Sequence, residues 1–232
     1  MNKEINMASL LEATNLSPTA KREEIKDLCN IALAYNFFAV CVHPYYLPFA
    51  ASLLQGSTTK LVTVAGFPFG GNDKWTKVRE TELAVKNGAT EVDMVINIAA
   101  LKNREKELIT REVAAVAHCG ATIKVIIETG YLENDEVGLA CDCIQEGGAH
   151  FVKTCTGFGP RGVTLQDVLL LRTLLPPFIG IKAAGGIKTA AFAISLVDAG
   201  ATRLGTSMAE TIMQQLKTDI MLKNERVKDN MS

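Results

Sequence analysis

The sequence predicts an α/β chain folded as a single-domain (β/α)8 barrel of the TIM type. Three observations predict it. Short apolar runs rich in β-branched residues alternate with helical stretches, eight such runs fit into 232 residues, and no linker rich in Pro, Gly or Ser divides the chain. Alternation of strand and helix implies parallel strands joined by crossover helices. Eight units in this length suit a closed barrel better than an open sheet. The domain is taken as residues 1–232, with the barrel over about 10–215 and a charged C-terminal tail over about 223–232.

The strands are expected, in order, at LLEAT (10–14), FFAVCV (37–42), LVTVAG (61–66), EVDMVIN (91–97), IKVIIET (123–129), HFVKT (150–154), IGIKAA (179–184) and TRLGT (202–206). LLEAT also suits the end of a helix. Helices are expected at KREEIKDLCNIALAY, KWTKVRETELAVKNG, REKELITREVAAVAHCG and LQDVLLLRTLL. Gly88, Gly120, Gly147 and Gly200 stand where helices should stop, because a helix C-terminus favours a residue tolerant of left-handed geometry.

Composition narrows the function. A net charge of −1 gives no global pull toward nucleic acid or a membrane surface. MNKEINMASLLEA has no continuous apolar segment and no later run reaches spanning length, so a cytoplasmic location is expected. The six cysteines form no C-x-x-C pair and read as buried or idle thiols in a reducing compartment. Three histidines without an H-E-x-x-H motif argue against a histidine-built metal site, and no metal or cofactor is expected.

A parallel barrel carries its chemistry at the C-terminal ends of its strands. Polar residues late in apolar strands are therefore the candidates: Asp93 and Asn97 in EVDMVIN, Glu128 at the end of KVIIET, Lys153 closing HFVKT, and Lys182 in GIKAAGG. Period-two alternation gives Asp93, Val95 and Asn97 one face. Lys153 and Lys182 lie on consecutive strands about 5 Å apart and can share one mouth. Adjacent positive charges favour a neutral amine, which attacks a carbonyl to form a Schiff base. The plainer reading pairs both lysines with carboxylates such as Glu12 or Glu128.

The glycines point to a phosphate. AGGI (184–187) and LGTS (204–207) follow the last two strands, where barrel loops present backbone N–H groups to phosphates. FVKTCTGFGPRG contains a literal G-x-G-x-x-G, at Gly157, Gly159 and Gly162. It follows the sixth strand rather than the first, no acid ends the next strand, and Pro160 removes an N–H, so the match to a dinucleotide loop is accidental.

EVDMVIN, KVIIET, FVKTCTGF, GIKAAGGIKT and RLGTS, in this order and spacing from about residue 10 to about 210, resemble the 2-deoxyribose-5-phosphate aldolases, class I enzymes. The resemblance implies reversible, metal-free cleavage of 2-deoxy-D-ribose 5-phosphate into acetaldehyde and D-glyceraldehyde 3-phosphate. It makes Lys153 the Schiff-base lysine, Lys182 the second lysine that tunes it or relays protons, and Asp93 the proton-transfer acid/base. Thr156, Gly157, Gly185, Gly186 and Ser207 fall on substrate- and phosphate-contacting positions, and Glu12 stands beside the second lysine. A phosphosugar substrate and a homodimer are the partners it allows.

Departures accompany the resemblance, among them the absence from KDNMS of the C-terminal tyrosine of some members. Glu12 stands where the family usually has aspartate, Cys155 makes the lysine motif KTCT rather than KTST, and Met208 replaces a serine. Arg161 either compensates at the phosphate end or is a solvated loop residue. Two further readings keep the barrel: a Schiff-base aldolase for a different or unphosphorylated aldehyde, and a non-catalytic phosphosugar-binding barrel.

Overall fold

The computed structural model describes residues 6–218. Its strands are β1 (Leu11–Asn15), β2 (Ala39–Val42), β3 (Lys60–Ala65), β4 (Glu91–Val95), β5 (Thr122–Ile126), β6 (Phe151–Lys153), β7 (Gly180–Ala184) and β8 (Arg203–Thr206). They pair in sequence order, all parallel, and β1 pairs with β8 to close the barrel. All eight expected strands are present, LLEAT included. The tail over 223–232 lies outside the described residues.

The helices are α1 (Arg22–Tyr35), α2 (Leu47–Leu53), α3 (Lys74–Lys86), α4 (Ile98–Lys102), α5 (Lys106–Ala117), α6 (Asn134–Glu146), α7 (Leu165–Leu174) and α8 (Ala190–Asp198), with a further helix over 209–218. Their starts follow local chemistry. Asp73 caps α3 by accepting from the N–H groups of Trp75 and Thr76, and Thr164 and Asp167 form a reciprocal capping box at α7. One expected helix stop moves: Gly147 is right-handed (φ −75°), and Gly148 takes the left-handed position at φ 76°. Gly147 is instead required by packing, since a Cβ there would meet Val113 Cγ1 at 2.6 Å.

Alternation along the strands sorts the side chains. Val92, Met94, Ile123, Val125, Val152, Ile181 and Leu204 are buried in the layer between barrel and helices, with Ile109, Val113 and Ile144. The lumen divides into two halves. Ala39 and Cys41 of β2 pack with Val62 and Val64 of β3 in one apolar cluster, while β1 and β4–β8 supply charges. No helix of the described residues is long and apolar enough to cross a membrane.

One expectation about the strands fails. Glu128 does not close β5. The strand ends at Ile126, and Glu128 turns into a left-handed conformation (φ 53°) that begins a 3-10 turn. It is buried and pairs with no lysine among the described residues. Its Oε2 accepts from Thr156, through both the backbone N–H (3.0 Å) and the hydroxyl.

Candidate active site

Strand register places the lysines. Lys153 and Lys182 are directly paired across β6 and β7, and Asp93 and Lys124 are paired across β4 and β5. Neighbours in register on parallel strands share a face, so all four side chains enter the lumen. Lys153 Nζ donates to Asp93 Oδ2 at 2.8 Å, and Lys182 Nζ donates to the same oxygen at 2.6 Å. Lys182 also donates to Glu12 Oε2. Glu12 thus keeps the ion pair despite its extra methylene.

Lys124, which the sequence reading passed over, donates to Asp93 Oδ1 at 3.0 Å and pairs with Glu91 at 2.5 Å. The signal was a lysine within a β-branched strand, two residues from Ile126. Arg203 completes the lumen: its guanidinium lies 3.3 Å from the Phe38 ring centroid, and Nε is 3.7 Å from Glu12 Oε1.

These contacts set the ionisation states. Burial by itself would raise Asp93, but Lys124, Lys153 and Lys182 outweigh it and hold the carboxyl well below the usual carboxylate range. Burial alone would lower Lys182, yet Asp93 and Glu12 overcome it and keep the ammonium charged far beyond the ordinary lysine range. Among the described residues, the ion-paired network contains three carboxylates (Glu12, Glu91, Asp93) and four cations (Lys124, Lys153, Lys182, Arg203), a formal excess of one positive charge.

A cavity of about 440 Å³ opens above the network at the C-terminal mouth, lined by Lys153, Thr156, Gly157, Gly185, Gly186 and Ser207 among others. Every residue expected at a substrate or phosphate position is therefore in one place. Lys182, Asp93 and Glu12 lie fully buried next to Lys153. Asn97 points to other work, capping α4 through the Ala100 N–H. A second cavity, about 550 Å³, lies at the opposite mouth beside Glu91, His150 and Arg203. It is larger but includes neither a lysine amine nor the glycine loops, so the first cavity is the candidate site.

The glycines are explained by shape. Gly157, Gly185 and Gly186 have φ of 90°, 93° and 76°, which L side chains rarely adopt. A Cβ on Gly162 would meet the Gly185 carbonyl oxygen at 2.5 Å, and on Gly159 it would meet Glu128 Oε1 at 2.5 Å. The G-x-G-x-x-G spacing thus serves loop packing over the sixth strand.

Cys155 is fully buried, 3.4 Å from Thr129 Oγ1, and burial pushes its thiol up to about 11, a packing role. Arg161 does not line the cavity. It grips Asp167 through both guanidinium ends (2.6 and 3.0 Å) and donates to Thr129 O, which makes it a loop clamp. The exposed cation that lines the cavity is Lys188, in the loop after β7, and the sequence reading missed it. Met208 is 37% exposed, and its N–H donates to Thr206 Oγ1 at 2.9 Å.

A family model described as DeoC/LacD family aldolase matches residues 8–214. This chain belongs to the DeoC/LacD aldolase family. Among its relatives, a deoxyribose-phosphate aldolase of Aciduliprofundum boonei is 46% identical over 215 residues, covering 91% of this chain and 97% of the relative. One from Thermococcus kodakarensis is 44% identical over 220 residues, covering 92% and 98%. In three dimensions this family member is similar to the tetrameric deoxyribose phosphate aldolase of Aeropyrum pernix, with TM-score 0.85, 32% identity and 91% of each chain covered.

Proposed function

We propose that this protein is a deoxyribose-phosphate aldolase that cleaves 2-deoxy-D-ribose 5-phosphate to acetaldehyde and D-glyceraldehyde 3-phosphate, reversibly, through a Schiff base on Lys153. One observation carries the reading. Of the three lumen lysines, Lys153 alone borders the C-terminal cavity, and among the described residues it contacts a single carboxylate, whereas Lys124 and Lys182 are each held by more than one.

Lys153 is the least held of the three lysines, with one carboxylate contact among the described residues, and supplies the amine nucleophile. The neutral amine attacks the substrate aldehyde to give a carbinolamine, and protonation of its hydroxyl by a proton taken up from solvent expels water and leaves an iminium. Removal of the C3 hydroxyl proton lets the C2–C3 electron pair move toward the iminium, releasing D-glyceraldehyde 3-phosphate and leaving an enamine. Protonation of the enamine at C2 and hydrolysis then give acetaldehyde and restore Lys153. Asp93 is fully buried beneath the lysines, so its proton exchange with substrate runs through a water molecule or the Lys182 ammonium. Lys182 stays charged and keeps a positive field beside Lys153. Glu12 anchors it.

The other end of the cavity suits a phosphate. The backbone around Gly185 and Gly186, the Ser207 hydroxyl and the Lys188 ammonium offer donors and one positive charge there. Thr156 and Gly157 flank the sugar between the two ends. A homo-oligomer and a cytoplasmic location belong to the same proposal.

Borohydride reduction with deoxyribose phosphate or acetaldehyde tests it. Peptide mass mapping should place the adduct on the peptide holding Lys153, and Lys153→Ala should abolish it. An adduct on Lys182 would reverse the two roles, and no adduct on active enzyme would sink the Schiff-base reading.

A further inference from the structure

The reaction as usually framed needs two lysines and one aspartate, and the lumen holds a third lysine at equally short range. Lys124 occupies Asp93 Oδ1 at 3.0 Å, while Lys153 and Lys182 share Oδ2 at 2.8 and 2.6 Å. Lys124 is fully buried and does not reach the C-terminal cavity, so it does not touch substrate there. It is held from the other side by Glu91, 2.5 Å away, which lines the cavity at the opposite mouth. The ion pairs thus run from one mouth of the barrel to the other, Glu91 to Lys124 to Asp93 to Lys153.

We propose that Lys124, braced by Glu91, is a positioning residue for the aldol chemistry, which fixes the Asp93 carboxylate so that one oxygen alone is presented to Lys153 and Lys182. This rests on the aldolase reading above. The reason is geometric. A carboxylate with two free oxygens swings about its own axis, and two lysines competing for it would take one oxygen each. With Oδ1 occupied from below, both lysines must meet at Oδ2, which keeps their ammonium groups close. The groups facing Asp93 are Lys124 on β5, Lys153 on β6 and Lys182 on β7, with Glu12 on β1 behind Lys182 and the protonated Cys41 thiol on β2.

The test replaces Lys124 by a neutral side chain of similar length, Lys124→Met. It runs beside Lys124→Met/Glu91→Gln, which removes the pair together and leaves no orphaned carboxylate at Glu91. Three readouts are taken: kcat and KM for deoxyribose phosphate, the pH–rate profile, and thermal stability. Loss of positioning lowers kcat about tenfold or more with KM little changed, and raises the acid limb of the profile by about one pH unit or more, because Asp93 loses a counter-charge. The paired variant should keep that displaced acid limb while recovering stability. In an Asp93→Asn background, Lys124→Met should add little further loss of kcat, since a residue acting through Asp93 has nothing left to act on.

An unmoved acid limb in the paired variant, or full additivity with Asp93→Asn, would overturn the proposal and leave Lys124 a structural ion. Wild-type enzyme assayed alongside tests the aldolase reading separately. No cleavage of deoxyribose phosphate there defeats that reading, and this one with it.

Discussion

Lys153 and Lys182 meet at a single oxygen. Both donate to Asp93 Oδ2, at 2.8 and 2.6 Å, and only Lys153 opens into the cavity. The division of labour proposed for them rests on what else each touches. Lys182 has Glu12 as a second carboxylate and is locked as an ammonium. Lys153 has none.

Lys182→Leu should therefore move the pH dependence of Schiff-base formation upward. A neighbouring positive charge favours the neutral form of an amine, so removing the ammonium that shares Asp93 with Lys153 should make the free amine appear at higher pH. Borohydride trapping with acetaldehyde across an alkaline pH series measures this. An alkaline limb that stays where it is would restrict Lys182 to holding Glu12 in place.

At the phosphate end, Ser207 offers a hydroxyl from the loop after β8 and the truncation is simple to read. Ser207→Ala should raise KM for deoxyribose phosphate more than for unphosphorylated deoxyribose. A hydrogen bond to a charged group contributes about 1.5–3 kcal/mol, roughly tenfold or more in kcat/KM. Equal losses on the two substrates would move the unphosphorylated aldehyde ahead.

The close approach of Gly162 to Gly185 gives a test of the loop rather than of a donor. A methyl at position 162 would lie 2.5 Å from the Gly185 carbonyl oxygen, so Gly162→Ala must displace the AGGI turn. KM for the phosphorylated substrate should rise, while trapping of acetaldehyde, which carries no phosphate, should persist. Loss of acetaldehyde trapping as well would mean that the turn also sets the position of Lys153.

Away from the site, Lys77 of α3 and Glu112 of α5 form a buried ion pair at 2.8 Å. Burial is the largest influence on both, lowering Lys77 and raising Glu112, and their attraction offsets it only in part. Lys77→Met should destabilise the fold by about 3–5 kcal/mol, because it strands a buried carboxylate. Adding Glu112→Gln should recover most of that, since Gln keeps an acceptor for the Asn97 N–H that Glu112 now serves. Denaturant melts of the two variants decide it, and a double variant no more stable than the single would refute the account.

The strand and helix alternation and the order of the motifs were legible from the amino-acid sequence alone, which also put Lys153, Lys182 and Asp93 forward as candidates. Each rests on local pattern: period-two alternation, a charge late in an apolar strand, glycine pairs at strand ends. What lay beyond it was everything set by which strands become neighbours. Lys124 reads as one polar residue within IKVIIET, and only the pairing of β4 with β5 puts its amine on Asp93. Glu128 continues the same apolar run, but its backbone leaves the strand at Ile126 and its carboxylate is spent on Thr156. Arg161 and Lys188 are both loop cations in the sequence. Tertiary contacts direct the first to Asp167 and leave the second at the cavity. Periodicity decides which face a side chain takes, because backbone geometry is local. Barrel closure decides which charges then share an oxygen, because that depends on groups as far apart in the chain as Glu12 and Lys182.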